Sequence, residues 1–409
     1  MNLFASEDEA YQIRTGREIV AAYPEIYKPR VIQDIRQDLA RRAQLRPDLA
    51  GGRSTDDLFA IATYDYWQYG IATAEEFYNE LLGATHEKKL QYITFRGRFD
   101  YIDHLNKKED MHLLRNKWHA YQLLKDAYRR EVLLLEGEQD YPAFEAFCRR
   151  HPTFVVKPVG LGQSQGVRKV EVPQQAPQPP KGGVSECAAT PPSGGRGAYR
   201  DLFNQLFTEV EETNSLWNCG IDKGVLVEEL IEQAEEMAVL HPASVNSVRM
   251  HTMNLGDGDI RFWYPLVRIG VHGNFLASAA VGCIPAGINM CTGIVETDGF
   301  DEFGKTTAIH PDTHIPIKGI KIPRWRQLCD KAIEMAERVP TLRYVGWDFV
   351  YNKDKEWIVM EGNENAEILS QFVYHRGERE ELEHLIGWRP TKQYWWQGKY
   401  PSRFENIKD

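Results

Sequence analysis

Apolar residues recur every three or four positions through most of the first 150 residues, the spacing of helices that bury one face. Thr73, with Glu76 three residues on, precedes Phe77, Tyr78, Leu81 and Leu82 and predicts a capped helix start. From Asn106 to Tyr128, Met111, Leu114, Trp118, Tyr121 and Leu124 fall on one stripe of a single helix. Pro142 suits the first turn of another, carrying Phe144 and Phe147. After residue 150 the period shortens. Runs rich in Val, Ile, Phe and Trp at 153–159, 224–230, 246–255, 259–270, 344–351 and 356–363 predict strands, each bounded by Gly, Asn, Asp or Pro. A helix over about 323–339 precedes the last two. The pattern is α+β with a largely antiparallel sheet.

Composition narrows the classes. With 409 residues, 42% hydrophobic and 26% charged, the chain is neither collagen-like, nor wholly disordered, nor membrane-spanning. A formal net charge of −10 argues against a duplex-binding protein, which needs a basic face, and leaves room for a local basic pocket that takes a phosphorylated small molecule. The six cysteines are scattered without a C-x-x-C pair, as expected of reduced thiols in a cytoplasmic protein. Acidic residues stand where a signal peptide needs cations, and no eighteen apolar residues run together, so no membrane insertion is expected. The Pro- and Gly-rich stretch near 173–198 reads either as a loop too polar to pack or as a lid that orders on substrate. Tyr394, Trp395 and Trp396 suit either C-terminal packing or a partner surface.

Four patterns carry chemistry. If 352–355 is a four-residue hairpin connection, Val350 faces Trp357 and Asp348 faces Val359, and Glu361 and Asn363 follow on the Asp348 face. Two carboxylates and an amide oxygen make the hard-oxygen half-shell that Mg²⁺ takes; the same alternation also describes a solvated face. Lys157 ends an apolar strand and is followed by Gly160, Gly162, Gln163, Ser164 and Gly166, where glycines let backbone N–H groups approach phosphates; a hairpin turn with a solvated lysine is the other reading. The strand through Val227 turns acidic at Glu228 and Glu229, ahead of Leu230, Ile231 and Glu235; a strand end of this kind can hydrogen-bond an adenine edge, with a carboxylate for ribose hydroxyls. Arg249 sits on a strand among β-branched neighbours, where a guanidinium serves a ligand anion or a buried carboxylate.

In this order, the segments DYWQYG, LNKKED with NKWHAYQ, VVKPVGLGQSQGV, VLVEELIEQ, SVNSVRM, HIPIKGIKIPRW and GWDFVYNKDKEWIVMEGN resemble the ATP-grasp enzymes, in detail the sugar-transfer-associated branch. The resemblance runs from about Asp65 to Asn365 and implies two α+β lobes clamping ATP, with a helical N-terminal region. It divides the chain into a mostly helical region 1–105, a small lobe 106–224 and a large lobe 225–409 that holds the metal site and the C-terminal tail. It implies that Lys117 and Lys157 are the ATP lysines and that the 160–166 loop closes over the β- and γ-phosphates. By the same likeness Glu228, Glu229, Leu230 and Ile231 form the adenine hinge and Glu235 holds ribose. Arg249 lies near the transferred phosphoryl group, and Asp348, Glu361 and Asn363 hold Mg²⁺. The segments 278–283 and 363–366 depart from the branch pattern on the acceptor side.

The implied activity is an ATP- and Mg²⁺-dependent carboxylate–amine ligase working through an acyl phosphate. Lys157 and Arg249 are the catalytic cations. Small-molecule or glycan-linked carboxylates and amines are the substrates, in cell-surface polysaccharide or amino-sugar and amino-acid conjugate synthesis. A homo-oligomer is compatible; nucleic acid is not a partner. Two alternatives stand beside this reading: a phosphotransferase acting on a hydroxyl with the same ATP machinery, and a nucleotide-binding module that turns nothing over.

Overall fold

The computed structural model describes residues 5–160, 166–172, 199–208, 224–278, 282–301 and 303–391. Gly162, Gln163 and Ser164, the 173–198 stretch and the aromatic run 394–396 lie outside the described residues.

The first hundred residues are helical, as their apolar spacing predicts. Helices Glu9–Ala22, Pro29–Leu45 and Thr55–Tyr69 pack around Ile19, Leu39, Leu58, Ile61 and Phe77. The side chains of Asp8 and Ser54 accept the N–H groups of Ala10 and Asp57 and so cap two of these starts. Gly16 is set by close approach: a Cβ there would lie 1.9 Å from the Ala60 carbonyl oxygen on the crossing helix. Helix Thr73–Tyr78 begins one residue earlier than Thr73 and Glu76 predict. Ala72 is its N-cap, and Glu75 rather than Glu76 closes the box by accepting Ala72 N–H at 2.7 Å. Glu76 instead turns inward and is buried beside Asp65, whose two oxygens accept from Lys89 Nζ at 2.7 and 2.6 Å. Burial, with the Asp65 carboxylate alongside, pushes the Glu76 carboxyl well above the usual range.

The single helix predicted over 106–128 is broken at Asn116. Its backbone is extended (φ −82°, ψ 110°), and its side-chain oxygen accepts the N–H groups of Trp118 and His119, which ends helix His112–Arg115 and caps helix Lys117–Tyr128. Lys117 thereby stands on a first turn.

Two antiparallel sheets follow. The smaller comprises β1 (Val132–Leu135), β2 (Thr153–Pro158), β3 (Arg168–Glu171) and β4 (Val225–Glu229) in the order β1-β4-β2-β3. β4 pairs with both β1 and β2, so residues 225–229 form an inner strand of the smaller sheet. Phe144 and Phe147 of helix Tyr141–Arg150 pack with Phe154, Val156, Val227 and Phe203 beneath this sheet. The larger sheet comprises β5 (Ser247–Asn254), β6 (Ile260–Gly270) and β7 (Cys283–Gly287), the short ribbon β8 (Gly299–Phe300) and β9 (Thr306–Thr307) standing apart. β10 (Tyr344–Tyr351) and β11 (Trp357–Asn363) complete it, in the order β11-β10-β5-β6-β7. Leu328, Ala332 and Met335 of helix Trp325–Arg338 join Val248, Met250 and Val345 in the main core. Among the described residues, no helix is long and apolar enough to cross a membrane.

The helical region is bonded to the larger sheet. Asn106 donates to the Tyr344 and Glu364 carbonyls, each at 2.8 Å, and accepts from Tyr344 N–H at 2.7 Å. Gln371 bonds both backbone groups of Ile93, at 2.8 and 2.9 Å.

The Asp65–Lys89 pair is almost wholly shielded from water. Lys89→Met leaves a buried carboxylate without its cation and is expected to destabilise the protein by about 3–5 kcal/mol in urea unfolding. Adding Asp65→Leu should recover most of that loss. A single variant within about 1 kcal/mol of wild type would show that the pair is not set by burial.

Candidate functional site

The acidic patch lies on the β10–β11 hairpin. Tyr351 pairs with Trp357, Val350 with Ile358 and Phe349 with Val359, one residue away from the predicted register. The connection spans the five residues 352–356, with Lys355 left-handed at φ 61°. Uncorrected, that slip would turn Glu361 to the face opposite Asp348. A β-bulge corrects it: Met360 is the extra residue, and beyond it Asp348 pairs directly with Glu361 and Gly346 with Asn363.

Asp348 is closely held. Arg249, its register partner on β5, donates from Nε at 2.7 Å and from its second nitrogen at 2.8 Å, a bidentate grip. Arg268 on β6 adds a contact at 3.3 Å, and Asn363 Nδ2 lies 3.3 Å from the other oxygen. Burial alone would raise the Asp348 carboxyl; the two guanidinium groups outweigh it and hold the group below its usual range. Burial, with Arg249 and Arg268 nearby, lowers His251 to about 3, so this histidine is neutral and adds no charge.

The facing wall comes from the smaller sheet. Lys157 Nζ donates to Glu228 Oε2 at 2.9 Å, and Arg130 reaches the same oxygen at 3.1 Å. Burial would raise the Glu228 carboxyl, but Lys157 and Arg130 bring it down to about 2. Lys117 Nζ lies 3.8 Å from Glu361 Oε1, which joins the two walls. Gly160 lies two residues beyond the end of β2, and Gly166 takes the left-handed conformation at φ 69° where the chain turns into β3. Glu229 is engaged elsewhere: its carboxylate accepts Glu131 N–H at 3.1 Å and ties β4 to the start of β1. Leu230 and Ile231 continue out of β4 half-buried, and Glu235 is exposed on the first turn of the short helix Glu235–Ala238.

Two members of this constellation escape a reading of the sequence. Arg130 sits in a Tyr-Arg-Arg-Glu run that looks like solvated charge, yet it is 7% exposed. Arg268 stands in an apolar strand, the same signal that singles out Arg249. The described residues thus place Arg130, Lys157, Lys117, Arg249 and Arg268 against Glu228, Glu361 and Asp348. Among the groups named here, five cations stand with three carboxylates. Among the described residues no group of three or more His, Cys, Asp or Glu is gathered as a metal cage. Asp348 and Glu361 face each other across the hairpin with Asn363 beside them, and in this arrangement both Asp348 oxygens are taken up by Arg249, Arg268 and Asn363 Nδ2.

A family model described as sugar-transfer associated ATP-grasp matches residues 96–386. No curated protein matches the chain. Among solved structures, the ATP-grasp ligase PsnB complexed with a minimal precursor is 14% identical, over 65% of this chain and 57% of that one, with a TM-score of 0.34. D-alanyl-alanine synthetase A from Vibrio cholerae is 13% identical over 66% and 60%, with a TM-score of 0.34. N5-carboxyaminoimidazole synthetase from Staphylococcus aureus, complexed with ADP, is 9% identical over 70% and 56%, with a TM-score of 0.39. The chain spans less than two thirds of the length of each of these three structures.

The depressed Glu228 carboxyl has a pH signature. Its stabilisation is fully present above the ordinary value of 4.5 and is lost as pH falls through about 2. Glu228→Gln leaves Lys157 and Arg130 uncompensated, so the variant should be less stable at neutral pH. Its deficit should shrink as unfolding is followed from pH 5 down toward pH 2, since only wild type loses this carboxylate; a deficit constant across that window would refute the assignment.

Proposed function

The chain belongs to the sugar-transfer associated ATP-grasp family, and from that premise we propose that it is an ATP- and Mg²⁺-dependent ligase that activates a carboxylate as an acyl phosphate and joins it to an amine. The observation that carries this reading is the cationic excess along two facing walls, one bearing a lysine at a strand end and the other two arginines beside a pair of carboxylates. A carboxylate is a poor electrophile. Transfer of the γ-phosphoryl group to it forms a P–O bond to the carboxylate and breaks the bond to the β-phosphate, releasing ADP. The amine nitrogen then attacks the acyl carbon, phosphate leaves with the bonding pair, and the amine proton passes to solvent.

Each step brings anions together, and cations held in place before the reaction lower that work. In this reading Lys157 and Lys117 neutralise the nucleotide phosphates. Arg249 and Arg268 meet the transferred phosphoryl group. The strand end at Glu228 to Ile231 takes the adenine edge, and Glu235 lies within the adjoining segment for ribose. Asp348, Glu361 and Asn363 would hold Mg²⁺, which when bound supplies charge neutralisation at the β- and γ-oxygens. Arg249 grips both oxygens of Asp348, which fixes its guanidinium beside that carboxylate. The acceptors we assign to this chemistry are carboxylates and amines of amino acids, uronic acids or amino sugars, as small molecules or on a cell-surface glycan.

The test is an ADP-release screen across those compounds, with hydroxylamine present to trap an acyl phosphate as its hydroxamate and mass spectrometry of every hit. A phosphate ester in place of an amide would make the protein a phosphotransferase, and no turnover with tight nucleotide binding would make it a binding module. Glu361→Gln is expected to lower ADP release by about 10²–10³-fold without moving the melting temperature, the range seen on removing one electrostatic contact at a reacting centre. Lys157→Ala should weaken ADP binding in calorimetry; unchanged affinity would remove that lysine from the phosphate site.

A further inference from the structure

One buried cation has no role in the chemistry just outlined. Helix Lys117–Tyr128 ends on Arg129 in the left-handed conformation (φ 48°), and this turn carries the next side chain, Arg130, under the junction of the two sheets. Its side chain is 3% exposed, and the guanidinium spends its donors in two directions. Toward the smaller sheet, Nε reaches Glu228 Oε2 at 3.1 Å, the oxygen that also receives Lys157. Toward the larger sheet, one terminal nitrogen donates to the Val359 carbonyl at 2.7 Å and the other to the Met360 carbonyl at 3.1 Å. The first of these also reaches the Tyr128 carbonyl at 3.3 Å, and the plane lies over the Tyr128 ring at 4.4 Å.

Val359 and Met360 are the residues at the bulge, and the bulge decides which face Glu361 occupies. We propose that Arg130 is a positioning residue that aligns the two walls of the nucleotide site, placing Lys157 through Glu228 and Glu361 through the bulge carbonyls. A planar fork with fixed donor directions can serve a carboxylate and two carbonyls at once; the ammonium of a lysine cannot span them. The proposal rests on the reading of this site as one for nucleotide and Mg²⁺, and it concerns how the chain's own residues are held there.

The experiment compares wild type with Arg130→Lys and Arg130→Met in calorimetric titration with ADP, with and without Mg²⁺, alongside hydrogen exchange of the amides of residues 359–362 in the ligand-free proteins. Both variants should lose about tenfold or more in affinity for ADP with Mg²⁺, within the range found when the outer support of a metal ligand is removed. The gain in affinity that Mg²⁺ brings should shrink, and exchange at 359–362 should quicken. If Arg130→Met does not fold, Arg130→Lys carries the comparison. A lower melting temperature with the Mg²⁺ gain intact would make Arg130 structural and overturn the proposal, as would unchanged binding and exchange. Wild type that binds no ADP at all would instead overturn the nucleotide reading itself.

Discussion

A carboxylate withdrawn from water needs cations or hydrogen bonds in its place, and in this protein that requirement ties separate strands and helices together. Asp348 and Glu228 are both buried, and each is gripped by two cations from separate segments of the chain. The segments are far apart in sequence, so satisfying the carboxylates fixes tertiary structure as firmly as the apolar core does. The cations gain as much from the arrangement. Without Asp348, the guanidinium groups of Arg249 and Arg268 would repel each other across neighbouring strands; with it they are held ready, and the site still carries surplus positive charge. Under the proposed function, a phosphate chain arriving there would find its counter-ions already assembled, which is the electrostatic condition for phosphoryl transfer.

Much of the fold was legible because strands buried on both faces read as continuous runs of β-branched and aromatic residues bounded by turn formers. β10 coincides with the run 344–351, and β2, β4, β5, β6 and β11 fall within a residue or two of theirs. β1 escaped because Leu-Leu-Leu carries no alternation and lies in a stretch of helical spacing. The helix break at Asn116 and the cap at Ala72 were missed for a related reason. Asn inside an apolar stripe, and Glu at two adjacent positions, leave the choice to tertiary packing, and packing chose Glu75 for the cap because Glu76 had a buried place beside Asp65.

At the site, the residue types were readable and their register was not. Asp348 and Glu361 do share a face, but through a longer turn and a compensating bulge that no spacing rule reveals. Arg130 was invisible because its value lies in carbonyl groups contributed by residues more than two hundred positions away. Arg268 differs: it lies in a strand as apolar as that of Arg249 and could have been chosen by the same criterion. Ligand-facing loops, with the fewest apolar contacts to define them, are where a pattern-based reading has least to hold.

The hydrogen bonds of Asn106 and Gln371 bear on how this chain can be taken apart. The matched family segment begins at residue 96, yet Ile93 has both backbone groups bonded by Gln371, and Arg46 donates to the carbonyls of Phe303 and Gly304. The helices are thus stitched into the matched segment by side-chain-to-backbone hydrogen bonds rather than resting on it. Cutting at the family border would strand those polar groups and bare the apolar surface they seal. The helical region is therefore poor material for modular transplantation onto another protein of the family, and any divergence in the body's far edge must be matched by change in the helices that cover it.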